Sequence, residues 1–421
     1  MFISFFNHIK LLLWSSILYL NYRLTNVCNL DLLNIVLYNV QNTNSLAIKC
    51  IQKIVPYLKM TECDKNIINL LNKTYEENIY HNDKETLKIY KNDFNTDFSQ
   101  DYNLIERISS GSIGQVYKIE KDNKFFAMKV IHPEVKYQLS FIKKIVYFFN
   151  IQKYLFFELD VFIENFSNET DFIKESENMG YFNDNYKNND YIIIPKVYKY
   201  SKNIIIMEYI DGEQISNLDV YERSKYIMLS LLFCNNNKFI LNCNHGDMHF
   251  GNFKKYDFNK LVIYDFGYCF KIHDKKLVHI LDNFYYHLFN RKNLKYTYKY
   301  CIEYLIQYHL PSDGDITKYR NDIQSFFIDN KIEDLSDLLK KTLTFFKKNN
   351  ILMKIEYLNL VINYYFITEI NDCNNIDLLS FCEAYDIFPE FQKHLKGNIF
   401  YENLSSIEKN KDLYNELKNL I

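Results

Sequence analysis

Glycine is scarce in this chain and is concentrated at a few positions. Only nine of the 421 residues are glycine, whereas an average usage of about 7% would give roughly 29. Glycine permits turns and close backbone approaches that a Cβ atom would block, so these positions predict a backbone shaped around a ligand. Six of the nine lie in two short stretches and one turn: Gly111, Gly114, Gly212, Gly246, Gly251 and Gly267.

The densest glycine cluster combines carboxylates with an amide. Residues 245–252 read His-Gly-Asp-Met-His-Phe-Gly-Asn, and residues 264–267 read Tyr-Asp-Phe-Gly. Phosphoryl transfer relies on positioned carboxylates and metal ions more than on covalent chemistry by the protein. Asp247 is therefore the candidate catalytic carboxylate, and Asn252 and Asp265 are candidate ligands of Mg²⁺, which prefers hard oxygen donors. The alternative, a buried turn with incidental carboxylates, is disfavoured by the order of all three residues.

A second glycine stretch lies upstream and is typical of a phosphate-binding loop. Residues 108–117 read Ile-Ser-Ser-Gly-Ser-Ile-Gly-Gln-Val-Tyr, and the following strand, residues 126–131, carries Lys129 at the position expected for a lysine that reaches ATP phosphates. An apolar strand is otherwise a poor place for lysine. The candidate nucleotide-binding residues here are Ser109, Ser110, Gly111, Ser112, Gly114, Val116 and Lys129.

Lys129 needs a carboxylate partner, and the next helix supplies three candidates. Glu175 is the favoured partner and a candidate catalytic residue, with Glu169 and Glu177 as rivals. The alternative for Glu175 is an ordinary solvent-facing helix position.

An apolar strand at residues 204–208 runs into a glycine turn at Gly212. This pattern predicts a hinge whose backbone binds adenine through Met207, Glu208 and Tyr209.

These motifs together resemble the UbiB/ADCK family of atypical kinase-like proteins, over about residues 104–272. Residues 112–116 match the family's Ser-Ile-x-Gln-Val sequence, and Val-Ile-His-Pro at 130–133 follows the lysine as it does in the family. Residues 169–178 match its Glu-x-Asp and Glu-x-x-Asn helix pattern. The resemblance implies a two-lobed α+β fold: a small lobe with an antiparallel β-sheet, a helical large lobe and a helical N-terminal extension. It also implies binding of ATP and Mg²⁺, with ATP hydrolysis or phosphoryl transfer that supports quinone or lipid metabolism at a membrane.

The family's Lys-x-Gly-Gln signature has a partial match at residues 49–52, where isoleucine replaces glycine. The resemblance implies that Lys49 and Gln52 lie over the nucleotide. The alternative is a plain amphipathic helix with both side chains in solvent. The phosphate loop also departs from the family, because serines and a glycine replace its alanines, which makes it more like an ordinary kinase loop.

The charge, the cysteines and the apolar N-terminal residues of the chain limit its expected partners and cellular environment. The net charge is −2 with no basic stripe, which excludes nucleic acid as the main partner. Nine dispersed cysteines without a Cys-x-x-Cys pair indicate reduced thiols in an intracellular protein. The first twenty residues are strongly apolar around Lys10, so membrane association through this segment is favoured over a cleaved signal. The alternative is a helix packed on the protein itself.

The predicted domains are a hydrophobic segment at 1–25, a helical extension and linker at 26–99, a small lobe at 100–212 and a helical large lobe at 213–421. ATP is the expected partner, with an unidentified acceptor for which a lipid or quinone precursor is the favoured class. One alternative is a small-molecule kinase of the aminoglycoside or choline phosphotransferase type, because these share His-Gly-Asp followed by Asn. The other is a pseudokinase that binds nucleotide without chemistry.

Overall fold

The structure is a computed structural model that describes residues 2–43, 48–49, 51, 55, 58, 64–72, 80–148, 157–258, 260–274, 277, 295–311, 314–328 and 335–360. Two compact units form. The first comprises Met1–Ser176, Val197–Tyr209 and Leu281–Ile362, and the second comprises Glu177–Lys196, Ile210–Ile280 and Asn363–Ile421.

The described chain contains both α-helices and β-strands. The strands are β1 (Asn103–Ser110), β2 (Gly114–Lys121), β3 (Lys124–Ile131), β4 (Ile192–Ile193), β5 (Val197–Tyr200), β6 (Ile204–Glu208), β7 (Glu213–Gln214), β8 (Asn244–His245), β9 (Phe253–Tyr256), β10 (Lys260–Ile263) and β11 (Cys269–Phe270). The α-helices span Phe2–Thr25, Leu30–Thr43, Lys65–Asn72, Asp83–Phe94, Phe98–Asp101, Val135–Phe148, Leu159–Asn168, Phe172–Tyr186, Val220–Asn236, Lys295–His309, Arg320–Ile323 and Leu335–Asn349.

The first unit is built around a five-stranded antiparallel sheet with the order β1-β2-β3-β6-β5. The turn between β2 and β3 consists of Asp122 and Asn123, whose φ angles are 50° and 59°. Asp and Asn tolerate this left-handed region, and two such residues in sequence suit the tight turn of a β-hairpin. The hairpin fixes the register in which Gly114 lies opposite Ile131 and Val116 lies opposite Lys129.

One face of this sheet packs against the helix Asp83–Phe94. The helix begins after Asn82, whose side chain accepts a hydrogen bond from the Lys84 N–H, and ends at Asn95 in the left-handed conformation. Both residues are common helix caps. The buried cluster between helix and sheet consists of Tyr90, Phe98, Tyr117, Ile119, Met128, Val130, Ile204 and Ile206. The helix is therefore held against the strands that flank the phosphate loop.

The N-terminal part of the first unit is helical. The Phe2–Thr25 and Leu30–Thr43 helices pack together through one small apolar cluster, and the Leu30–Thr43 and Lys65–Asn72 helices pack through a second. Within the described part of the chain, no helix combines the length and apolar character that crossing a membrane requires. The clusters are Leu11, Val40 and Ile48, and Leu37, Val55 and Leu71.

The second unit contains a four-stranded sheet with the order β4-β10-β9-β7 and a two-stranded pair of β8 and β11. β10 pairs in parallel with β4 and antiparallel with β9, so Ile263 lies opposite Phe253. β8 and β11 place His245 opposite Cys269. These pairings bring residues 244–252 and 264–270 together. The antiparallel sheet and the helices confirm the predicted α+β class, whereas the predicted domain boundaries stay a prediction.

Candidate nucleotide-binding site

Lys129 and Glu175 form a buried ion pair in the first unit. The Lys129 Nζ atom lies 2.6 Å from Glu175 Oε1, and the two side chains are 11% and 1% exposed. Lys129 is fixed on the central strand β3, between Val116 of β2 and Ile205 of β6. The ammonium also lies 5.2 Å from the ring centroid of Phe172, on the helix that carries Glu175. The structure thus brings these two predicted site residues together.

Glu169, one of the rival partners for Lys129, pairs with Lys49 instead. The Lys49 Nζ atom lies 2.8 Å from Glu169 Oε2, and the side chains are 8% and 0% exposed. Lys49 is therefore buried and does not lie on a solvent-facing helix surface. Gln52, its predicted companion, lies outside the described residues.

The predicted phosphate loop forms a tight turn between β1 and β2. The Gly111 N–H donates to the Gly114 carbonyl at 2.9 Å, and the His132 N–H donates to the Ile113 carbonyl at 2.8 Å. A Cβ atom on Gly114 would lie 2.4 Å from the Val130 carbonyl oxygen, so only glycine allows this strand approach. The other predicted loop residues, Ser109, Ser110, Ser112 and Val116, lie on the loop or on the flanking strands.

The predicted hinge is the end of β6. Met207 lies opposite Ala127 and is 8% exposed, and Glu208 lies opposite Phe126. The ring of Tyr209 lies 6.4 Å from that of Phe125, with the Lys118 ammonium 4.6 Å from each ring centroid. Adenine binding by Met207, Glu208 and Tyr209 stays a prediction.

His245 organises the predicted catalytic loop in the second unit. It is 2% exposed, and its Nδ1 atom accepts a hydrogen bond from the Asp247 N–H at 3.2 Å. Its Nε2 atom lies 3.1 Å from the Tyr264 carbonyl, to which it donates. Burial lowers the pKa of His245, although its hydrogen bond to Tyr264 and the charges of Asp247 and Asp265 oppose this effect. The neutral imidazole with hydrogen on Nε2 therefore joins both predicted carboxylate segments.

Asn252 is oriented by Asp247 and by the strand that leads to Asp265. The Asn252 Nδ2 group donates to the Asp247 carbonyl at 2.8 Å, and the Tyr264 N–H donates to the Asn252 carbonyl at 2.8 Å. Since its amide nitrogen is engaged, the side-chain oxygen of Asn252 remains as an acceptor.

Asp265 has an unusual backbone conformation. Its φ angle is 55°, a left-handed region that is uncommon for residues other than glycine and often found at functional sites. The Gly267 N–H donates to Asp265 Oδ1 at 3.3 Å. The oxygen donors of Asn252 and Asp265, carried by adjoining backbone segments, fit Mg²⁺ as the implied ion.

Phe266 anchors this loop, a role that the Asp-Phe-Gly motif alone does not indicate. It is fully buried, with its ring centroid 4.8 Å from that of Phe182 and 5.0 Å from that of His245. The Asn178 side chain donates to the Phe266 carbonyl at 2.9 Å. The Glu-x-x-Asn pattern, which ends at Asn178, was the one available signal for this contact.

Comparison with known proteins places these features in a family. A family model described as the ABC1 atypical kinase-like domain matches residues 75–299, just over half of the chain. AarF domain-containing kinase 1 of Drosophila melanogaster is 27% identical over 200 residues, which cover 43% of this chain and 38% of the relative. The match therefore spans well under half of the relative's length.

Among solved structures, the Rv3197–erythromycin complex from Mycobacterium tuberculosis is similar with a TM-score of 0.43 and 16% identity, over 78% of this chain and 89% of that chain. The family match confirms the predicted UbiB/ADCK resemblance and the kinase-like α+β fold. The chain belongs to the ABC1 atypical kinase-like family.

Proposed function

We propose that this chain binds Mg²⁺-ATP and hydrolyses it or transfers its terminal phosphoryl group. The Lys129–Glu175 ion pair carries the proposal. Burying a lysine on the central strand of a sheet costs desolvation energy, and its pairing with a helix carboxylate is the arrangement that positions a lysine for ATP phosphates. The side chains are 11% and 1% exposed, which is unusual for charged residues.

The residues of the chain divide the work of this reaction. Lys129 binds phosphates together with the loop N–H groups other than that of Gly111, which donates to the Gly114 carbonyl. Asp247 orients the attacking hydroxyl or water and accepts its proton. Asn252 and Asp265 hold Mg²⁺, which when bound neutralises charge on the phosphates. His245 keeps Asp247 in place through the Asp247 N–H, at 3.2 Å.

The N-terminal extension has a proposed role in access to the nucleotide. Lys49 pairs with Glu169, only six residues before Glu175 on the chain. The pair couples residue 49 to the segment that leads into the helix of Glu175. We infer that Lys49 lies over the bound nucleotide, as the family signature implies.

A lipid or quinone precursor at a membrane surface is the proposed acceptor class. The family resemblance supports this class, and so do exposed apolar side chains at the end of the first helix and in the turn that follows it. Leu20, Leu24 and Val27 are 58%, 85% and 66% exposed. Exposed apolar side chains next to a basic residue, here Arg23, are typical of peripheral contact with lipid.

The decisive experiment is a thermal unfolding series of the full chain with ATP, with and without Mg²⁺. We expect Mg²⁺-ATP to raise the Tm of the wild type, and Asp265→Asn to lose the Mg²⁺-dependent part while its circular dichroism stays native. Asn also tolerates a positive φ, so the backbone is preserved. Asp257→Asn is the matched control, because Asp257 is exposed in the turn of the β9–β10 hairpin that precedes Asp265 and also has a positive φ, of 57°. Equal Mg²⁺ dependence in Asp265→Asn and the wild type would refute the metal assignment.

Measurements of ATP turnover with different acceptors then distinguish the proposed function from the small-molecule kinase and the pseudokinase. ATP hydrolysis that increases with anionic phospholipid vesicles or a prenylated phenol supports the proposed acceptor class. Phosphorylation of an aminoglycoside or choline would indicate the small-molecule kinase. Nucleotide binding without turnover under all conditions would indicate a pseudokinase.

A further inference from the structure

Two histidines meet beneath the phosphate loop, in the first unit. The Nδ1 atoms of His81 and His132 lie 2.8 Å apart, and the two rings are nearly perpendicular, with centroids 5.0 Å apart. His132 follows β3 directly, so the β2–β3 register that sets Gly114 opposite Ile131 brings it to the loop. His81 comes from the segment just before the helix Asp83–Phe94.

The hydrogen bonds define which nitrogen carries each hydrogen. His132 Nε2 lies 3.0 Å from the Gly111 carbonyl, which can only accept, so Nε2 carries hydrogen. In a neutral ring Nδ1 of His132 then accepts, and Nδ1 of His81 donates. His81 Nε2 lies 2.8 Å from the Thr86 hydroxyl. The hydrogen bonds therefore run from His81 Nδ1 to His132, and from His132 Nε2 to the Gly111 carbonyl.

Burial supports the neutral state of both rings. It lowers the pKa of His132, and it lowers the pKa of His81 to about 4, with further lowering by repulsion between the two rings when both are protonated and by the charge of Arg107. Asp83 opposes this shift, and its own carboxylate is held by Arg107 at 2.5 Å and by the Tyr117 hydroxyl at 2.9 Å. Burial, the largest effect on both rings, thus leaves the pair uncharged at neutral pH.

The side chain of Gln115, in the strand after the phosphate loop, binds the backbone of His81. The Gln115 side chain accepts from the His81 N–H at 3.1 Å and donates to the His81 carbonyl at 3.1 Å. Gln115 is fully buried and belongs to the Ser-Ile-Gly-Gln-Val stretch. The same strand that follows the phosphate loop therefore fixes the residue that orients His132.

We propose that His81 and His132 are positioning residues for the phosphate loop, with His132 holding the Gly111 carbonyl so that the loop N–H groups face the nucleotide phosphates. The Ser110 hydroxyl, 3.5 Å from His132 Nε2, is the adjoining polar group of the loop. The inference rests on the proposed nucleotide binding, and it concerns how the loop is held, not whether the chain binds ATP.

The test compares two amide substitutions of His132 in the full chain, each of which matches one of the two ring nitrogens. His132→Gln places an amide N–H near the position of Nε2 and keeps the bond to Gly111. His132→Asn places its amide near Nδ1, so it keeps a partner for His81 and loses the bond to Gly111. Losing one hydrogen bond predicts a roughly tenfold weaker Kd for Mg²⁺-ATP in His132→Asn. We expect His132→Gln to stay within about threefold of the wild type, which is less than one such bond.

Adenosine separates positioning from general damage, because it lacks the phosphates that the loop binds. Its affinity should be equal in both variants and in the wild type. Equal loss of ATP and adenosine affinity in His132→Asn, or equal ATP affinity in the two variants, would overturn the proposal.

Amide hydrogen exchange tests the same pair without nucleotide. Residues 108–116 should exchange faster in His132→Asn than in His132→Gln, and long-range ¹⁵N spectra should place hydrogen on Nε2 of His132. If the wild type bound no nucleotide, the proposed function would fail, and these two measurements would still decide the pair. Unchanged exchange in His132→Asn, or hydrogen on Nδ1 of His132, would contradict it.

Discussion

Lys49 Nζ lies 2.8 Å from Glu169 Oε2, in an ion pair that leaves the two side chains 8% and 0% exposed. The neighbouring carboxylate along the chain, Glu175, is engaged by Lys129 at 2.6 Å. Residues 169–175 therefore supply the carboxylates of two buried ion pairs. The lysine of one pair comes from the N-terminal extension, and the lysine of the other comes from the central strand of the sheet. The extension is coupled to the segment that precedes the Glu175 helix.

We predict that Lys49→Met destabilises the chain by about 3–5 kcal/mol, because the Glu169 carboxylate is left buried without its cation. Combining it with Glu169→Leu should recover most of this loss, since the double variant buries no charge. The measurement is urea unfolding of both variants and the wild type.

Lys88→Met is the control for this prediction. Lys88 also pairs with a glutamate, Glu85, but at 3.9 Å and with 68% of its side chain exposed. An exposed pair of this kind contributes at most about 1 kcal/mol. Similar unfolding free energies for Lys49→Met and Lys88→Met would contradict the structural importance of the buried pair.

For catalysis, we predict that Lys129→Ala and Glu175→Ala are strongly non-additive in ATP turnover. Each change disrupts the same ion pair, so the double variant should be about as slow as the slower single variant. Steady-state kcat/KM for ATP measures this. Lys341→Ala and Asp337→Ala, which disrupt a 2.8 Å pair within the Leu335–Asn349 helix, should leave turnover unchanged. Strict additivity at Lys129 and Glu175 would argue against a shared role.

The sequence was most informative where chemistry and spacing coincide. Asp247, Asn252 and Asp265 are predicted site residues because glycines and oxygen ligands recur at short intervals, and the structure brings their backbone segments together through β8–β11 and β9–β10. Lys129 is a predicted site residue because burying a charged side chain on an apolar strand is costly unless a partner or ligand binds it.

Long-range partners were harder to predict. Glu169, Glu175 and Glu177 are equivalent by residue type, and only the three-dimensional placement of Lys49 and Lys129 separates the first two. His81 belongs to no motif, and it reaches His132 only because Gln115 holds its backbone, 34 positions away in sequence. Such pairings depend on the packing of a helix on a sheet, which local sequence patterns do not encode.

The histidines predict a pH dependence of stability. The pKa of His81 falls from 6.5 to about 4 on folding, because burial, the neighbouring His132 ring and the charge of Arg107 favour the neutral ring. The unfolded chain therefore binds a proton that the folded chain does not between these two values. The contribution of His81 to the free energy of unfolding is fully present above pH 6.5 and is lost as the pH falls toward about 4. His132 and His245, whose pKa values are lowered by burial, act in the same direction.

Urea unfolding between pH 7.5 and about 4.5 tests this. We expect His81→Asn to flatten the decline below pH 6.5, because one proton fewer is taken up on unfolding, while the slope above pH 6.5 stays unchanged. An identical slope in His81→Asn and the wild type would show that this imidazole is not held neutral by the fold.

Gly114 and Gly180 differ in the space around their Cα atoms. A Cβ atom on Gly114 would lie 2.4 Å from the Val130 carbonyl oxygen, whereas one on Gly180 would have nothing within 4 Å. Gly114→Ala must push β2 away from β3 and should destabilise the chain by about 1–3 kcal/mol, the usual cost of overpacking. Gly180 is exposed within the Phe172–Tyr186 helix, so Gly180→Ala should stabilise it by about 0.5–1 kcal/mol.

The same pair of variants also separates stability from nucleotide binding. Because Gly114 closes the phosphate loop through the 2.9 Å bond from the Gly111 N–H, Gly114→Ala should weaken Mg²⁺-ATP binding under conditions where the chain is still folded. Gly180→Ala should raise the urea midpoint with unchanged ATP affinity. If Gly114→Ala were as stable as the wild type, the close approach of β2 to β3 would be wrong. If it were destabilised but bound ATP normally, the scarcity of glycine at this loop would reflect strand packing alone and not the shape needed for phosphates.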